Sequence, residues 1–289
     1  MPLMGALVCA LSLAGPALAG AQRHFPSPQE AADALVDSLA RSDGAELRAL
    51  LGPNSGELLP IDELSAEDRY DFLAAWAKGN RVVADSRSRA RLVLSDGWSL
   101  PIPMVRGANG WSFDARAGRQ EMLTRRIGRN ELAVIESMLA FVDAQKEFAT
   151  LNRQGDGTKV FAQRIVSSPG QRDGLYWTTA PGQPQSPLGP LFEGKNVQGG
   201  YHGYHFRILK AQGPAAAGGA KAYVRNGRMT EGFALVGWPV RFGETGVMTF
   251  IVNQDGQVFQ RSLGPDTAAI AGAMMRFNPD AAWKPVPAD

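Results

Sequence analysis

The chain has 289 residues, of which 20% are charged, and its formal net charge at neutral pH is +2. This composition is typical of a folded globular protein and argues against intrinsic disorder. So small a net charge provides no strong field for nucleic acid, and we expect no nucleic-acid partner.

The first nineteen residues have the pattern of a secretory signal peptide. Residues 4–14 form an apolar run too short to cross a bilayer as a stable helix, and residues 17–19 (ALA) supply the small-x-small cleavage motif. No Lys or Arg precedes the apolar run, although such peptides ordinarily begin with positive charge. We therefore expect a periplasmic or secreted protein with no transmembrane segment in the mature chain.

The only cysteine, Cys9, lies inside this predicted signal peptide. The mature chain is therefore expected to have no disulfide and no thiolate metal site, so its stability must come from burial of apolar area. Its length is sufficient for two domains.

The predicted first domain, residues 20–127, begins with helices. Ser27 to Glu30 form a capping box with proline at the first helical position, followed by apolar residues at helical spacing. Two further helices are predicted, one at residues 45–51 and one from Ser65 to near Gly79.

Short β-type runs follow the helices at residues 89–94, 97–105 and 110–115. They are separated by hairpin sequences rich in Asp, Asn and Gly. This order predicts a curved antiparallel sheet wrapped over helices.

The predicted second domain, residues 128–289, begins with a helix of about twenty residues from Arg129 that has a wide apolar face. Gly128 interrupts the helical pattern and is predicted to be the boundary. A loop-rich stretch follows at residues 155–203, then three or four antiparallel strands packed on the long helix, and a terminal helix capped by Asp266. The fold class predicted for the whole chain is α+β.

Five segments together resemble the bacterial family called domain of unknown function 2950. They are residues 126–132 (RIGRNEL), 172–177 (RDGLYW), 186–190 (SPLGP), 203–213 (GYHFRILKAQG) and 246–254 (GVMTFIVNQ). The resemblance implies a secreted protein with no assigned activity, and therefore no catalytic residues to carry over.

Two partial resemblances concern the fold. Residues 27–117 are similar in plan to the cystatin-like cone fold of nuclear transport factor 2 relatives, with a late strand that reads NGWSFD at 109–114. Residues 129–262 resemble the globular half of pseudopilins. Pilin-like subunits retain an apolar N-terminal helix that builds the filament, whereas here another domain stands in its place, which favours a free two-domain protein.

The sequence shows no plan for nucleophilic catalysis. Its imidazole bases are limited to His24, His202 and His205, and it has no G-x-S-x-G elbow. We expect no catalytic residue, no metal and no cofactor, although a carboxylate pair made by folding stays open. His202 and His205 are three residues apart in a segment predicted to be extended, which sends them to opposite faces, but both remain candidates for ligand or partner binding.

Two charged segments have two interpretations each. Arg172, Asp173, Tyr176 and Trp177 form either a recognition loop that presents two aromatic rings or a loop anchored in the domain by Trp177. The arginines at 125, 126 and 129 cluster with Glu131 as either an anion or partner site, or a set of salt bridges and caps.

The leading hypothesis is a non-catalytic binding or assembly role in the bacterial envelope, with an envelope protein or a cell-wall component as partner. One alternative is an enzyme or small-ligand carrier that uses an apolar pocket in the first domain, lined by Trp98, Trp111 or Phe113. Another is an accessory factor of a secretion or pilus-like system.

Overall fold

A computed structural model describes residues 22–53, 55–58, 63–151, 157–179, 182–189 and 200–287. The predicted signal peptide, residues 1–19, lies outside this range. The chain divides into two compact units, Met1–Met122 and Leu123–Asp289, which we call the N-terminal and C-terminal units. Each has its own apolar core. The protein is α+β, as predicted.

Three of the four helices described in the N-terminal unit lie where their local sequence predicts. The four are α1 (Pro28–Ala40), α2 (Gly44–Leu51), α3 (Ser55–Leu58) and α4 (Ala66–Lys78). Ser27 caps α1, and Ser65 forms a reciprocal capping box with Asp68 at the start of α4. Only the short α3 was not predicted.

The sheet of the N-terminal unit is an antiparallel meander in chain order. Its strands are β1 (Asn80–Ser86), β2 (Arg89–Leu94), β3 (Met104–Gly107) and β4 (Gly110–Phe113). The prediction of a strand at 97–105 was wrong: only Ser99 makes an isolated bridge, and pairing resumes at Met104. Pro101 and Pro103 lie in this interruption and have no N–H to donate to a ladder.

The long helix α5 (Ala115–Thr150) starts earlier than predicted. Asp114 caps it, because its Oδ1 accepts a hydrogen bond of 2.9 Å from the amide of Ala117. Gly128 lies inside the helix and does not interrupt it. The helix contributes residues to both units, since the division falls between Met122 and Leu123.

The C-terminal unit contains a five-stranded antiparallel sheet with the order β13-β12-β11-β10-β5. Its strands are β5 (Tyr204–Leu209), β10 (Ala234–Pro239), β11 (Met248–Asn253), β12 (Phe259–Ser262) and β13 (Lys284–Pro285). Two small ladders stand apart, formed by β6 (Ala211–Gln212) with β7 (Lys221–Ala222) and β8 (Val224–Arg225) with β9 (Arg228–Met229). Helix α6 (Thr267–Ala273) begins after Asp266, as predicted, but the side chain of Asp266 makes no capping hydrogen bond.

The two faces of this sheet are covered by different helices. On one face Met138 of α5 lies so close to Gly237 that an added Cβ there would be 2.8 Å from Met138 Cε. On the other face Arg207 donates hydrogen bonds to carbonyls of α6, including that of Ala271. Side chains alternate along a strand, so Phe206, opposite Gly237, is directed to α5, whereas His205 and Arg207 are directed to α6.

The stretch after α5 is irregular where it is described, as predicted. Residues 157–179 and 182–189 contain isolated bridges but no named helix or strand. Among the described residues, no helix is both long and apolar enough to span a membrane.

Candidate functional site

A groove of about 850 Å³ runs along β5 in the C-terminal unit. The backbone of β5 forms its floor. Residues 163–166 form one wall, and Trp238, Met274 and Met275 form the other.

The floor is the outer edge of the sheet, because β5 pairs with β10 on one side only. The amide of Val240 donates to the carbonyl of Gly203 (2.9 Å), which makes this a directly hydrogen-bonded antiparallel pair. By alternation, His205, Arg207 and Leu209 direct their N–H and C=O groups to β10. Phe206 and Ile208 direct theirs to the groove.

The open edge is closed at both ends by the protein itself. Tyr201 and Tyr204 exchange two backbone hydrogen bonds of 2.8 and 3.0 Å. Beyond the other end of β5, the carbonyl of Lys210 accepts from the amide of Tyr223 (2.9 Å). In the described parts of the chain, no strand pairs with the outward groups of Phe206 and Ile208.

The first wall is held in place from behind. The buried amide of Gln145 makes two hydrogen bonds to the backbone of Ala162, of 2.9 and 2.8 Å. The amide of Tyr176 donates to the carbonyl of Ile165 (2.8 Å), so the 172–177 segment braces the wall. Gly174 is needed there, because a Cβ would lie 2.7 Å from the amide nitrogen of Ser167.

The second wall is fixed by Arg207. Its guanidinium donates to carbonyls of Ala271, Gly272 and Met274 and lies 5.9 Å from the ring centre of Trp238. A cation suits this position, because the carbonyls at a helix C-terminus carry partial negative charge. Beside it, the side chain of Met275 is 72% exposed.

The groove is positively charged. Arg164, Arg207 and Lys210 line it, and no Asp or Glu does among the described residues. A neighbouring cavity of about 650 Å³ shares Arg164 and Lys210 and adds Arg172 and Arg228. Among the described residues that line this cavity, the one carboxylate is that of Asp173, 3.5 Å from Arg164 in an exposed ion pair.

The two predicted histidines occupy different environments. His205 lines the groove and lies 5.6 Å from the ring of Trp238. His202 is exposed on the turn before β5, at a positive φ of 50°, with its ring 4.2 Å from that of Tyr201. Within the described residues, no three His, Cys, Asp or Glu side chains are grouped so that they could hold a metal ion.

The predicted 172–177 loop divides between surface and core. Arg172 and Asp173 are exposed and line the neighbouring cavity. Tyr176 is half-buried, and Trp177 is buried in the core of the C-terminal unit. The carboxylate of Asp173 accepts hydrogen bonds from the backbone amide (2.7 Å) and the hydroxyl (2.9 Å) of Ser168. These hydrogen bonds lower the pKa of Asp173, and the one from the backbone amide has the larger effect.

The N-terminal unit contains an apolar pocket of about 600 Å³. Trp98 lines it, is 42% exposed and makes an edge-to-face contact with Phe72 at 6.1 Å. Trp111 and Phe113 are instead buried in the core of this unit and do not line the pocket.

A cluster that sequence reasoning interpreted differently surrounds Glu131. Its Oε1 accepts hydrogen bonds from the amides of Val247 (2.8 Å) and Met248 (2.9 Å). The hydroxyl of Tyr204 lies 3.4 Å from the same oxygen and 2.9 Å from the carbonyl of Met248. Burial, and secondarily the charge of Glu131, raise the pKa of Tyr204. Glu131 therefore ties α5 to the starts of β5 and β11.

Comparison with known proteins gives one match. Neither the curated proteins nor the solved structures contain a match to this chain, so neither partial resemblance, to the cone fold or to pseudopilins, is shown. The family model described as "Protein of unknown function (DUF2950)" matches residues 22–286, which is nearly all of the described range. The chain therefore belongs to the DUF2950 family.

Proposed function

We propose that this protein is an exported, non-catalytic binding protein that captures a polypeptide of the bacterial envelope in the groove along β5. The observation that carries the proposal is an open strand edge between two apolar walls, each fixed by hydrogen bonds to the rest of the unit. Contiguous exposed apolar surface of this kind is typical of interaction sites.

The chemistry of the lining supports binding rather than catalysis. Its polar side chains are cations, an amide, two tyrosines and one imidazole, that of His205, whose ring is tilted by 47° to the ring of Trp238. General acid–base or nucleophilic catalysis needs a paired acid and base with a nucleophile in reach. The described lining residues supply no such set.

Affinity capture from envelope extracts, followed by reconstitution with each purified partner, tests the proposal. The double variant Val166→Asp/Met275→Asp puts two charges into the groove at positions that are 45% and 72% exposed. The control, Leu151→Asp/Ile270→Asp, also puts two charges at exposed apolar positions (44% and 46% exposed), but these do not line the groove.

We expect a polypeptide that binds the wild type and the control directly but is lost with the groove variant. Equal capture by both variants would contradict the proposal. So would binding to purified cell-wall sacculi that protease treatment of the sacculi leaves unchanged.

Export is tested separately, on the chain as it is synthesised. The small-x-small motif at residues 17–19 predicts a mature N-terminus at Gly20. Mass spectrometry of the N-terminal peptide from fractionated bacteria should find Gly20 first in the periplasm or medium. An intact Met1 in the cytoplasmic fraction would contradict export.

The pocket of the N-terminal unit supports a second candidate, a carrier of small apolar ligands. Its lining is mainly aliphatic and aromatic, and Trp98 stands at it partly exposed. Dodecanoate should raise the melting temperature of the wild type, and Trp98→Ala should abolish this shift. Tyr70→Ala, which removes a 71% exposed ring outside the pocket, is the control and should keep it.

A further inference from the structure

We infer that the groove binds its partner by strand addition, in which an extended peptide with an apolar centre and an acidic end pairs with the outer edge of β5. The inference rests on the proposed function and specifies the mode of binding and the chemistry of the partner. It follows from three features of the described residues: the direction of the backbone N–H and C=O groups of β5, the closed ends of its outer edge, and the charge of the groove.

The first feature is the direction of the backbone groups. The hydrogen bond from Val240 to Gly203 determines which residues of β5 direct their backbone groups to β10 and which direct them away from it. Phe206 and Ile208 therefore present their N–H and C=O groups to the groove. Buried or enclosed backbone groups are costly without a partner. An extended peptide supplies the complementary alternation of donors and acceptors, whereas a globular surface or an acyl chain does not.

The second feature is the length of the open edge. The outward groups of Tyr204 pair with Tyr201, and the outward carbonyl of Lys210 pairs with Tyr223. Of the five residues between these closures, Phe206 and Ile208 present two backbone groups each to the groove, so an added strand makes four backbone hydrogen bonds. The open edge extends over residues 205–209, and an added strand has the same rise of about 3.3 Å per residue, so the site accepts a segment of about five residues.

The third feature is the charge and polarity of the walls. Side chains of an added strand alternate between Ile165 and Val166 on one wall and Trp238 and Met275 on the other, which favours apolar residues in the middle. Arg164 and Lys210 are both exposed where the groove meets the neighbouring cavity. Asp173 offsets the charge of Arg164 from the side of that cavity. The described lining of the groove itself also has Lys210 and Arg207 and no Asp or Glu, so this end favours a carboxylate on the peptide.

The experiment uses the mature full chain, labelled with ¹⁵N and with ¹³C at the methionine methyl groups, and the peptide Glu-Glu-Val-Ile-Val-Glu-Glu. In the free protein the amides of Phe206 and Ile208 should exchange with solvent faster than those of His205, Arg207 and Leu209, which pair with β10. Saturation with the peptide should slow exchange at Phe206 and Ile208 by at least about tenfold, since it gives these amides partners.

Charge is tested with matched variants. Lys210→Glu reverses an exposed charge at the groove and should weaken binding by roughly tenfold, whereas Lys284→Glu, an exposed lysine of β13, should not change it. The peptide Lys-Lys-Val-Ile-Val-Lys-Lys has the same apolar centre and should bind the wild type more weakly than the acidic peptide.

Several outcomes would overturn the inference. If the peptide shifts the Met274 and Met275 methyl signals but leaves both amides exchanging, the groove binds without strand addition, and only the inference fails. Protection of both amides in the dilute free protein would mean that this chain already covers the edge. Protection that grows with protein concentration would make a second copy the occupant. Equal binding of the two peptides, or of neither, would overturn the acidic specificity, while the capture experiment decides the proposed function independently.

Discussion

Glu131 is the residue through which one helix organises two strands. Its carboxylate accepts the amides of Val247 and Met248, and it lies beside the hydroxyl of Tyr204. Charge-assisted hydrogen bonds to backbone amides are among the stronger ones in proteins. The side chain is only partly buried, so water compensates for part of its removal.

Replacing Glu131 should separate the acceptor function from the charge. Glu131→Ala leaves two amides without their acceptor and should lower the free energy of unfolding by about 2 kcal/mol. Glu131→Gln keeps a carbonyl acceptor and should cost less than about 1 kcal/mol. Urea denaturation followed by fluorescence of Trp177, Trp238 and Trp283 measures both. Equal loss in the two variants would mean that charge, rather than the acceptor, matters.

Residues whose partners are local could be predicted from the sequence, and those with distant partners could not. Ser27 and Ser65 each cap a helix by accepting a hydrogen bond from the amide three residues later, so the local motif contains both partners. Glu131 meets Val247 at a separation of 116 residues, and nothing near Glu131 indicates that contact. Three arginines precede it at residues 125, 126 and 129, which favoured an interpretation as salt bridges or an anion site.

At the scale of elements, α5 contains two glycines in opposite environments. Gly118 is buried, and a Cβ there would lie 2.8 Å from Ile102 Cγ1. Gly128 is exposed, and a Cβ there would meet nothing within 4 Å. The same substitution should therefore have opposite effects.

Gly128→Ala should stabilise the protein by about 0.5–1 kcal/mol, because alanine loses less conformational entropy in a helix. Gly118→Ala should destabilise it by about 1–3 kcal/mol through overpacking. Urea midpoints of the two variants and the wild type check both signs. Destabilisation by Gly128→Ala would show that α5 is not continuous at this position in solution.

The elements with strong periodicity were predicted correctly, and those without it were missed. Alternation predicted the strand at Tyr204, and helical spacing predicted α1 and α4. Strand β1 was missed because none of its residues is buried, so its sequence has no alternation to detect. The edge position of β5 depends on which strands pair, and hydropathy along one strand does not encode that.

At the scale of the whole molecule, stability should depend on pH through two tyrosines. Burial raises the pKa of Tyr204 and of Tyr223, with the charges of Glu131 and Asp255 as the respective second causes. In the unfolded chain both ionise near pH 10. The folded state therefore binds more protons above about pH 10, so this stability is full below that pH and is lost as pH rises further.

Alkaline titration checks this expectation. Of the five tyrosines, Tyr204 and Tyr223 should not ionise until the C-terminal unit unfolds, as followed by ultraviolet absorbance of tyrosinate together with circular dichroism. Tyr223→Phe should reduce the loss of stability at high pH, whereas Tyr70→Phe, at an exposed position, should not. Ionisation of all five near pH 10 with the fold intact would contradict the burial of these rings.

The α+β class and the family could both be predicted from the sequence, because they depend on the order of elements and on long motifs. The candidate site could be predicted only in part. His205, Arg172 and Asp173 were named, and they lie at the groove or the cavity beside it. The groove itself forms because the 163–166 wall, β5 and the residues after α6 meet in three dimensions, although they are distant in sequence.

The closures at Tyr201 and Lys210 also bear on colloidal behaviour. Exposed sheet edges are common starting points of amyloid and other open-ended aggregation, since each added strand offers a new edge to the next one. Here only two residues are available between the closures, so a strand that joins cannot extend in register along the whole sheet. We therefore expect the open edge of β5 not to nucleate fibrils at high protein concentration.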